Sequence, residues 1–269
     1  MPTTVANRIV PEDQIQQFQN EGYMILERVI PDDMLAMLRE ECSYFIGLAD
    51  GRMEERGETV NGLTHRGKRY FIANEYHKSH RLWKFLYSDL MAQIATAALG
   101  PEVYLFHEQW VVKGPEQGMK FSWHQDSGYV AFHDPQTTHK PYLTCWCALD
   151  DVTEENGTVY LLPHSRGGTK DTLIPHTQEE GSNDLIGYSG EDRGITVEVP
   201  AGSVVCFSSY NLHSSGANTT PHMRRVYLPQ YSAEVIRRSG TEELWAQAVP
   251  FVKNGQIVYD READFAGKK

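Results

Sequence analysis

The stretch "VPAGSVVCFSSYNLHSSGANTTPHMRRVYLPQY", residues 199–231, decides the fold that the sequence predicts. A Pro-Ala-Gly turn leads into an apolar run that ends near His213, and after a polar loop a second run opens with Arg224 and Arg225. Similar runs of β-branched and aromatic residues recur from residue 103 onward, separated by Gly, Pro, Asn and Asp, as in "VYLFHEQWVVKG", "YLTCWCALDDV" and "GTVYLLPHS". This pattern is typical of a β-sandwich or a β-barrel.

The first hundred residues have a different, mainly helical pattern. Helices are predicted at 11–20, 31–49 and 79–100, the first two opening with Pro and acidic residues. A short strand is predicted at 22–30. Two polar, glycine-containing segments are interpreted as loops, the first as a loop or lid: 50–79 and 165–195. Because no linker is visible, the sequence predicts one domain over 1–269, with a mainly helical N-terminal region (1–100), a β core (101–235) and a C-terminal extension (236–269).

Composition narrows the classes of function. The chain has 269 residues, 40% of them hydrophobic, and a formal net charge of -11, which argues against nucleic-acid binding and against a basic membrane-binding surface. Its four cysteines form no CxxC pair, and the N-terminus has no apolar leader segment. We therefore expect a cytoplasmic protein whose partner is a small-molecule substrate, with no membrane span.

A possible metal site lies in "FSWHQDSGYV", residues 121–130. On a strand, His124 and Asp126 would point to the same side, and among the 11 histidines only His124 has an acidic residue two positions later. With His213 as a distal partner, these residues match the 2-His-1-carboxylate triad of non-haem Fe(II) enzymes, which leaves positions open for a co-substrate and O2. An arginine after His213 would suit a carboxylate of that co-substrate.

Several ordered motifs resemble the phytanoyl-CoA dioxygenase family of Fe(II)/2-oxoglutarate-dependent oxygenases. They are "FQNEGYMILERVIPDDMLAML", "WHQD", "CWCALDDVTEENGTVYLLPHSRGG" and the block around His213, and together they span residues 11 to about 235. One departure is the sequence Pro-His-Ser-Arg at 163–166, where the family has Pro-Gly-Ser-His. The resemblance implies a mostly β fold with helical additions, in which a double-stranded β-helix (jelly-roll, cupin-like) core packs against N-terminal helices.

The same resemblance implies roles for individual residues. His124, Asp126 and His213 would bind Fe(II), and Arg224 would hold the C5 carboxylate of 2-oxoglutarate, with Arg225 as the competing choice because neighbouring strand residues face opposite sides. Three further residues would line the co-substrate site: Ser215, Trp146 and Gln109. Each has an alternative, since Ser215 could shape a turn, Trp146 could belong to the core, and the place of Gln109 is open. Lys113 is expected in solvent and His107 in the core.

The substrate is the least defined aspect of the prediction. Tyr129 and Phe132, just after the His-x-Asp motif, and the pair Lys68 and Arg69 are candidates to meet it, although that pair could equally lie in a solvated loop. The aromatic residues suggest an apolar or mixed small molecule.

The implied activity is hydroxylation of an unactivated C–H bond with release of succinate and CO2, and the presence of Asp126 disfavours halogenation. The alternatives are a 2-oxoglutarate-independent cupin-like metalloenzyme and a non-enzymatic binding module. An intact set of metal ligands argues against the second.

Overall fold

A computed structural model of the chain describes residues 3–115, 119–180 and 183–266. The α-helices of these residues are α1 (Glu12–Glu21), α2 (Asp32–Arg56), α3 (Leu82–Leu86), α4 (Asp89–Leu99), α5 (Asp126–His133), α6 (His164–Gly167) and α7 (Arg261–Phe265). The β-strands are β1 (Thr3–Thr4), β2 (Tyr23–Leu26), β3 (Val60–Asn61), β4 (Thr64–His65), β5 (Arg69–Ala73), β6 (Val103–Lys113), β7 (Phe121–His124), β8 (Leu143–Ala148), β9 (Val159–Leu162), β10 (Thr177–Gln178), β11 (Leu185–Ile186), β12 (Ile195–Thr196), β13 (Val204–Ser208), β14 (Leu212–Ser215), β15 (Arg224–Ser232), β16 (Val249–Lys253) and β17 (Gln256–Ile257).

Two antiparallel sheets form the β core. The larger has the strand order β1-β17-β16-β6-β15-β8-β13-β2, with β5 also paired to β6, and the smaller has the order β12-β9-β14-β7. Apolar side chains of both sheets, such as Val226 of the larger and Leu161 of the smaller, meet in one buried cluster. Helices α2 and α4 contribute to a second cluster on the other face of the larger sheet. The predicted mostly β jelly roll with helices packed against it is confirmed.

The predicted helix at 79–100 is wrong as a single element. It is divided into α3 and α4 because Ser88 leaves the helical conformation, and its Oγ accepts a hydrogen bond of 3.2 Å from the backbone N–H of Met91. This is an N-cap, which starts a new helix. Conversely, α2 continues past its predicted end at residue 49 to Arg56, where Gly57 with φ of 65° ends it.

The two predicted loops are also partly wrong. Residues 50–79 contain the end of α2 and strands β3 to β5, and β5 pairs with β6 along its whole length, from Arg69 to Ala73. Residues 165–195 hold the two-stranded pair of β10 and β11. Among the described residues, every helix is too short or too polar to span a lipid bilayer.

Candidate metal centre and cavity

The His-x-Asp segment crosses from a strand into a helix. Strand β7 ends at His124, Gln125 is extended with φ of -107° and ψ of 137°, and Asp126 is the first residue of α5. The prediction that His124 and Asp126 share one strand is therefore wrong. Because Gln125 remains extended, both side chains still face the same side, and the carboxylate of Asp126 lies in the first turn of a helix, where negative charge is favoured.

Three side chains from different elements converge at this point. The Nε2 atom of His124 lies 3.8 Å from Oδ1 of Asp126, and Nε2 of His213, from β14, lies 3.5 Å from the same oxygen. Each residue offers one nitrogen or oxygen atom as a possible ligand, and these three atoms all lie within 4.8 Å of one another. Two imidazole nitrogens and one carboxylate oxygen at this spacing are a suitable donor set for a divalent transition metal.

Backbone carbonyl groups fix the orientation of both histidines. The Nδ1 atom of His124 lies 2.7 Å from the carbonyl oxygen of Ser122, and Nδ1 of His213 lies 3.1 Å from that of Asn211. Each Nδ1–H donates to its carbonyl, so the lone pair of each Nε2 points to the shared centre. This is the usual arrangement of metal-binding histidines.

The carboxylate of Asp126 is held in the same way. Its Oδ2 atom accepts hydrogen bonds from Oγ1 of Thr144 at 2.5 Å and from Nε2 of Gln230 at 2.9 Å. Two donors on one oxygen leave Oδ1 for the centre between the histidines. Thr144 and Gln230, which hold Asp126 in place, thus come from two strands of the larger sheet, β8 and β15.

The protonation states also suit a metal. Burial, together with the nearby His213, lowers the pKa of His124 to about 3. Burial alone would raise the pKa of Asp126, but the neighbouring imidazoles of His213 and His124 and the hydrogen bond from Thr144 outweigh it and lower that pKa to about 2. At neutral pH, His124 is therefore a neutral imidazole and Asp126 a carboxylate, the states in which each can bind a cation.

The two neighbouring arginines of β15 point to opposite sides of the sheet. Arg225 points outward, where its Nε and Nη2 atoms donate to the carboxylate of Asp150 at 3.0 and 2.6 Å. Arg224 points inward, is 1% exposed and lines the same cavity as the cluster of His124, Asp126 and His213. Adjacent residues of β15 face opposite sides of the sheet, which explains the difference.

The guanidinium group of Arg224 has little to neutralise it. It contacts a backbone carbonyl at 3.4 Å and lies 5.2 Å from the ring centre of Trp146, and its Nε has no hydrogen-bond partner among the described residues. Burial lowers the pKa of Arg224 to about 9. A buried cation that lacks an anion is costly, so this position favours an anionic ligand.

Lys113 lies beside Arg224, and the prediction that it is solvated is wrong. It is fully buried, and its Nζ donates to Oγ of Ser215 at 2.8 Å and to the carbonyl oxygen of Gly216. Its position at the start of "KGP" suggested a loop, but β6 includes it as the last residue of the strand. Because Ser215 accepts this hydrogen bond, its own proton is free to be donated elsewhere.

One cavity of about 230 Å³ connects these groups. All three metal-ligand candidates line it, as do the predicted co-substrate residues Arg224, Ser215, Trp146 and Gln109. Trp146 is both core and cavity wall, since it is 4% exposed and packs in the cluster between the sheets.

The four substrate candidates have different positions. Tyr129 lines the cavity, and its ring lies 5.4 Å from that of His124. Phe132, near the end of α5, is 40% exposed and does not line the cavity. Lys68 is exposed.

Arg69, the fourth candidate, is not in a solvated loop. It is fully buried, and its Nη1 donates to Oδ2 of Asp184 at 2.8 Å. This contact engages one side of its guanidinium group. Arg69 lies inside the protein because it belongs to β5, which pairs with β6.

Gln125, the middle residue of the motif, has a role that the sequence did not indicate. Its side chain accepts from the N–H of Ile174 at 2.7 Å and donates to the carbonyl of Thr172 at 2.9 Å, and its N–H donates to Nε2 of His176 at 2.9 Å. A Cβ on Gly128 would come within 2.3 Å of the His176 ring. The long 165–195 connection is thereby fixed to the metal-binding segment.

The chain is similar to several known proteins. A family model described as "Phytanoyl-CoA dioxygenase (PhyH)" matches residues 18–226. An ectoine dioxygenase from Bordetella parapertussis is 28% identical over 82% of this chain and 75% of its own length. The peroxisomal phytanoyl-CoA dioxygenase of Homo sapiens is 22% identical over 83% of this chain and 68% of its own. The crystal structure of EvdO2 from Micromonospora carbonacea var. aurantiaca complexed with 2-oxoglutarate has a TM-score of 0.65 at 21% identity, covering 90% of this chain and 97% of that one, which shows a shared fold.

Proposed function

Because the chain belongs to the phytanoyl-CoA dioxygenase family, we propose that it is an Fe(II)- and 2-oxoglutarate-dependent dioxygenase. It hydroxylates an unactivated C–H bond of a small organic molecule and releases succinate and CO2. One observation carries the proposal: the cluster of His124, Asp126 and His213 and the buried guanidinium of Arg224 line a single cavity. A metal site alone fits many enzymes, but a buried cation beside it selects an anionic co-substrate.

The iron would be held by Nε2 of His124, Oδ1 of Asp126 and Nε2 of His213, the atoms that face one another in the cluster. Three protein ligands leave part of the coordination sphere open for a co-substrate and O2. The hydrogen bonds from Thr144 and Gln230 to Asp126 keep the single anionic ligand in place.

The co-substrate would lie between the metal and Arg224. The guanidinium group of Arg224 binds the distal carboxylate, and the hydroxyl of Ser215, which accepts from Lys113, donates its proton to the same carboxylate. The ring of Trp146 lies against Arg224, and Gln109 lines the wall of the same cavity.

Iron and 2-oxoglutarate, when bound, supply the oxidative decarboxylation that is coupled to oxidation of a substrate C–H bond and consumes O2. The chain binds and orients these groups, and it surrounds them with apolar side chains such as Val111, Phe207 and Leu228, which exclude water from the cavity. Asp126 keeps the metal site from presenting a free position to a halide, which favours hydroxylation over halogenation.

The proposal is tested by titrating the Fe(II)-loaded protein with 2-oxoglutarate without oxygen and recording the visible charge-transfer band of the complex. We expect a band for the wild type and for His133→Ala, whose side chain is exposed at the end of α5. His213→Ala should give none, with circular dichroism confirming that it is folded.

A protein that binds Fe(II) but gives no band with 2-oxoglutarate would contradict the proposal. That result would support a 2-oxoglutarate-independent metalloenzyme instead. A band that persists in His213→Ala would contradict the assignment of the metal ligands.

A further inference from the structure

The cavity has two chemically different ends. Each end is marked by a pair of facing residues on the paired strands β6 and β15. Arg224 lies opposite Lys113 at one end, and Gln230 lies opposite His107 at the other. Gln230 donates to the metal-ligand candidate Asp126, so the metal site is near the second pair. The first pair is the proposed co-substrate end, which leaves the region around His107 for the substrate.

An irregularity in the strand pairing shapes this second end. Gln230 pairs with His107 and the next residue, Tyr231, pairs with Leu105, so Phe106 is an extra residue without a partner in β15. A bulge of this kind turns neighbouring side chains towards one side of a sheet. Both Phe106 and His107 consequently line the cavity, although they are adjacent in the strand.

The walls at this end are aromatic and aliphatic. The ring of Phe106 lies 4.7 Å from that of Tyr142 and 6.4 Å from that of Trp245, and Val130 packs in the same cluster. The backbone N–H of Gln247 donates to the carbonyl of Phe106 at 2.9 Å, which fixes the segment that carries Trp245 against the bulge.

The charged side chains that line the cavity are Arg224 and Asp126, as far as the described residues go. The proposed co-substrate and metal occupy both. Burial lowers the pKa of His107 to about 4, so its imidazole is neutral at physiological pH. A charged group in the substrate end would therefore be buried without a partner, which is strongly unfavourable.

We propose that the substrate places an uncharged, mainly apolar group in this end of the cavity and that His107 hydrogen-bonds its polar atom. This inference rests on the proposed function and specifies its substrate class. The aromatic walls bind the apolar portion, and His107 determines which C–H bond faces the metal.

The first test compares probes of matched shape and different charge: 2-phenylethanol, phenylacetate and 2-phenylethylammonium, and the corresponding cyclohexyl set. Binding to the anaerobic Fe(II)- and 2-oxoglutarate-loaded protein is measured by equilibrium dialysis and by the change in the visible band. The neutral member of each set should bind at least about tenfold more tightly than the two charged members. Equal or tighter binding of a charged member, or no binding of either neutral member, would overturn the proposal.

The second test asks whether His107 contacts the probe. His107→Phe removes the hydrogen bond while keeping a flat ring, and His107→Gln retains a neutral hydrogen-bonding group. We expect the neutral probe to bind about tenfold more weakly to His107→Phe, with binding largely restored in His107→Gln. The same loss in both variants, or in neither, would contradict a hydrogen bond from His107.

The design separates this inference from the function on which it depends. The charge-transfer band with 2-oxoglutarate is recorded before any probe is added. A missing band would refute the proposed function, whereas a normal band followed by preference for a charged probe would refute only the substrate class.

Discussion

Lys113 and Arg224 lie directly opposite each other in the pairing of β6 with β15, and both side chains are buried. Burial and the charges of Arg224 and Arg69 hold the pKa of Lys113 well below its usual range. Two cationic side chains side by side inside a protein destabilise each other unless an anion joins them. The dicarboxylate that we propose as co-substrate would supply that anion.

Replacing Arg224 should separate co-substrate binding from metal binding. Arg224→Gln removes the charge that faces the cavity, so we expect the affinity for 2-oxoglutarate to fall by about 30-fold or more while Fe(II) still binds. Calorimetric titration of the metal-loaded protein with 2-oxoglutarate measures the change. Arg225→Gln is the matched control, because that side chain pairs with Asp150 outside the cavity, and a larger loss in this variant would show that the wrong arginine is assigned.

The hydroxyl of Thr144 should strengthen metal binding although it does not touch the metal. Thr144→Val removes the 2.5 Å hydrogen bond to Oδ2 of Asp126 and leaves Gln230 as its remaining side-chain donor. We expect the Fe(II) affinity to fall by about tenfold, as for other residues that orient a metal ligand. Thr144→Ser keeps the hydroxyl and should retain most of the affinity. Equal affinities for the Val and Ser variants would mean that the hydrogen bond does not matter.

Glu108 should make stability depend on pH. It is fully buried on the helix-facing side of β6, accepts a hydrogen bond from the N–H of Tyr76, and burial raises its pKa from 4.5 to about 7. Between these two values the folded state holds a proton that the unfolded chain has lost. The free energy of unfolding therefore falls as pH rises from about 4.5 to about 7 and is constant above that, a contribution of at most about 3 kcal/mol.

Glu108→Gln removes this dependence. In urea unfolding, we expect the variant to be more stable than the wild type at pH 8 by about 1–3 kcal/mol, and the difference to shrink at pH 5. Glu191→Gln, at an exposed position, is the control and should follow the wild type at both pH values. A Glu108→Gln variant that is less stable than the wild type at pH 8 would contradict the buried-carboxyl interpretation.

The ion pair between Arg69 and Asp184 should be a structural contact. It joins β5 to the residue just before β11, and both side chains are almost fully buried. Arg69→Met leaves the carboxylate without this cation and should lower the free energy of unfolding by about 3–5 kcal/mol. The double variant Arg69→Met/Asp184→Leu should recover much of the loss. Arg66→Met, at an exposed pair with Glu54, should have a smaller effect.

The candidate metal ligands, and the strands that carry His124 and His213, could be predicted because their signals are local. Apolar runs and turn residues identify β13 to β15, and the spacing of His124 and Asp126 is visible without a structure. Strand alternation also explains why only one of Arg224 and Arg225 points inward. The same alternation places Gln230 on the side of Arg224, so its position near the site could have been found from the sequence.

Other features depend on contacts between distant segments and could not be predicted. Lys113 looks like a solvated residue before a loop, but it is buried because Gly216, far along the chain, supplies a carbonyl to its Nζ. Arg69 lies in a polar segment, and the residue pattern of that segment does not reveal that β5 pairs with β6. The bulge at Phe106 arises from the register of two strands, which no periodicity within one strand reveals.

Trp245 reaches the cavity from the connection between β15 and β16. Synthesis on the ribosome proceeds from the amino end, so His124, Asp126, His213 and Arg224 all emerge before it. During translation, the residues that we propose to bind iron and the co-substrate are thus made before Trp245 completes the aromatic wall of the substrate end. A truncated chain that ends at residue 235 would therefore be expected to keep the candidate metal-binding residues and to lack the Trp245 side of that wall.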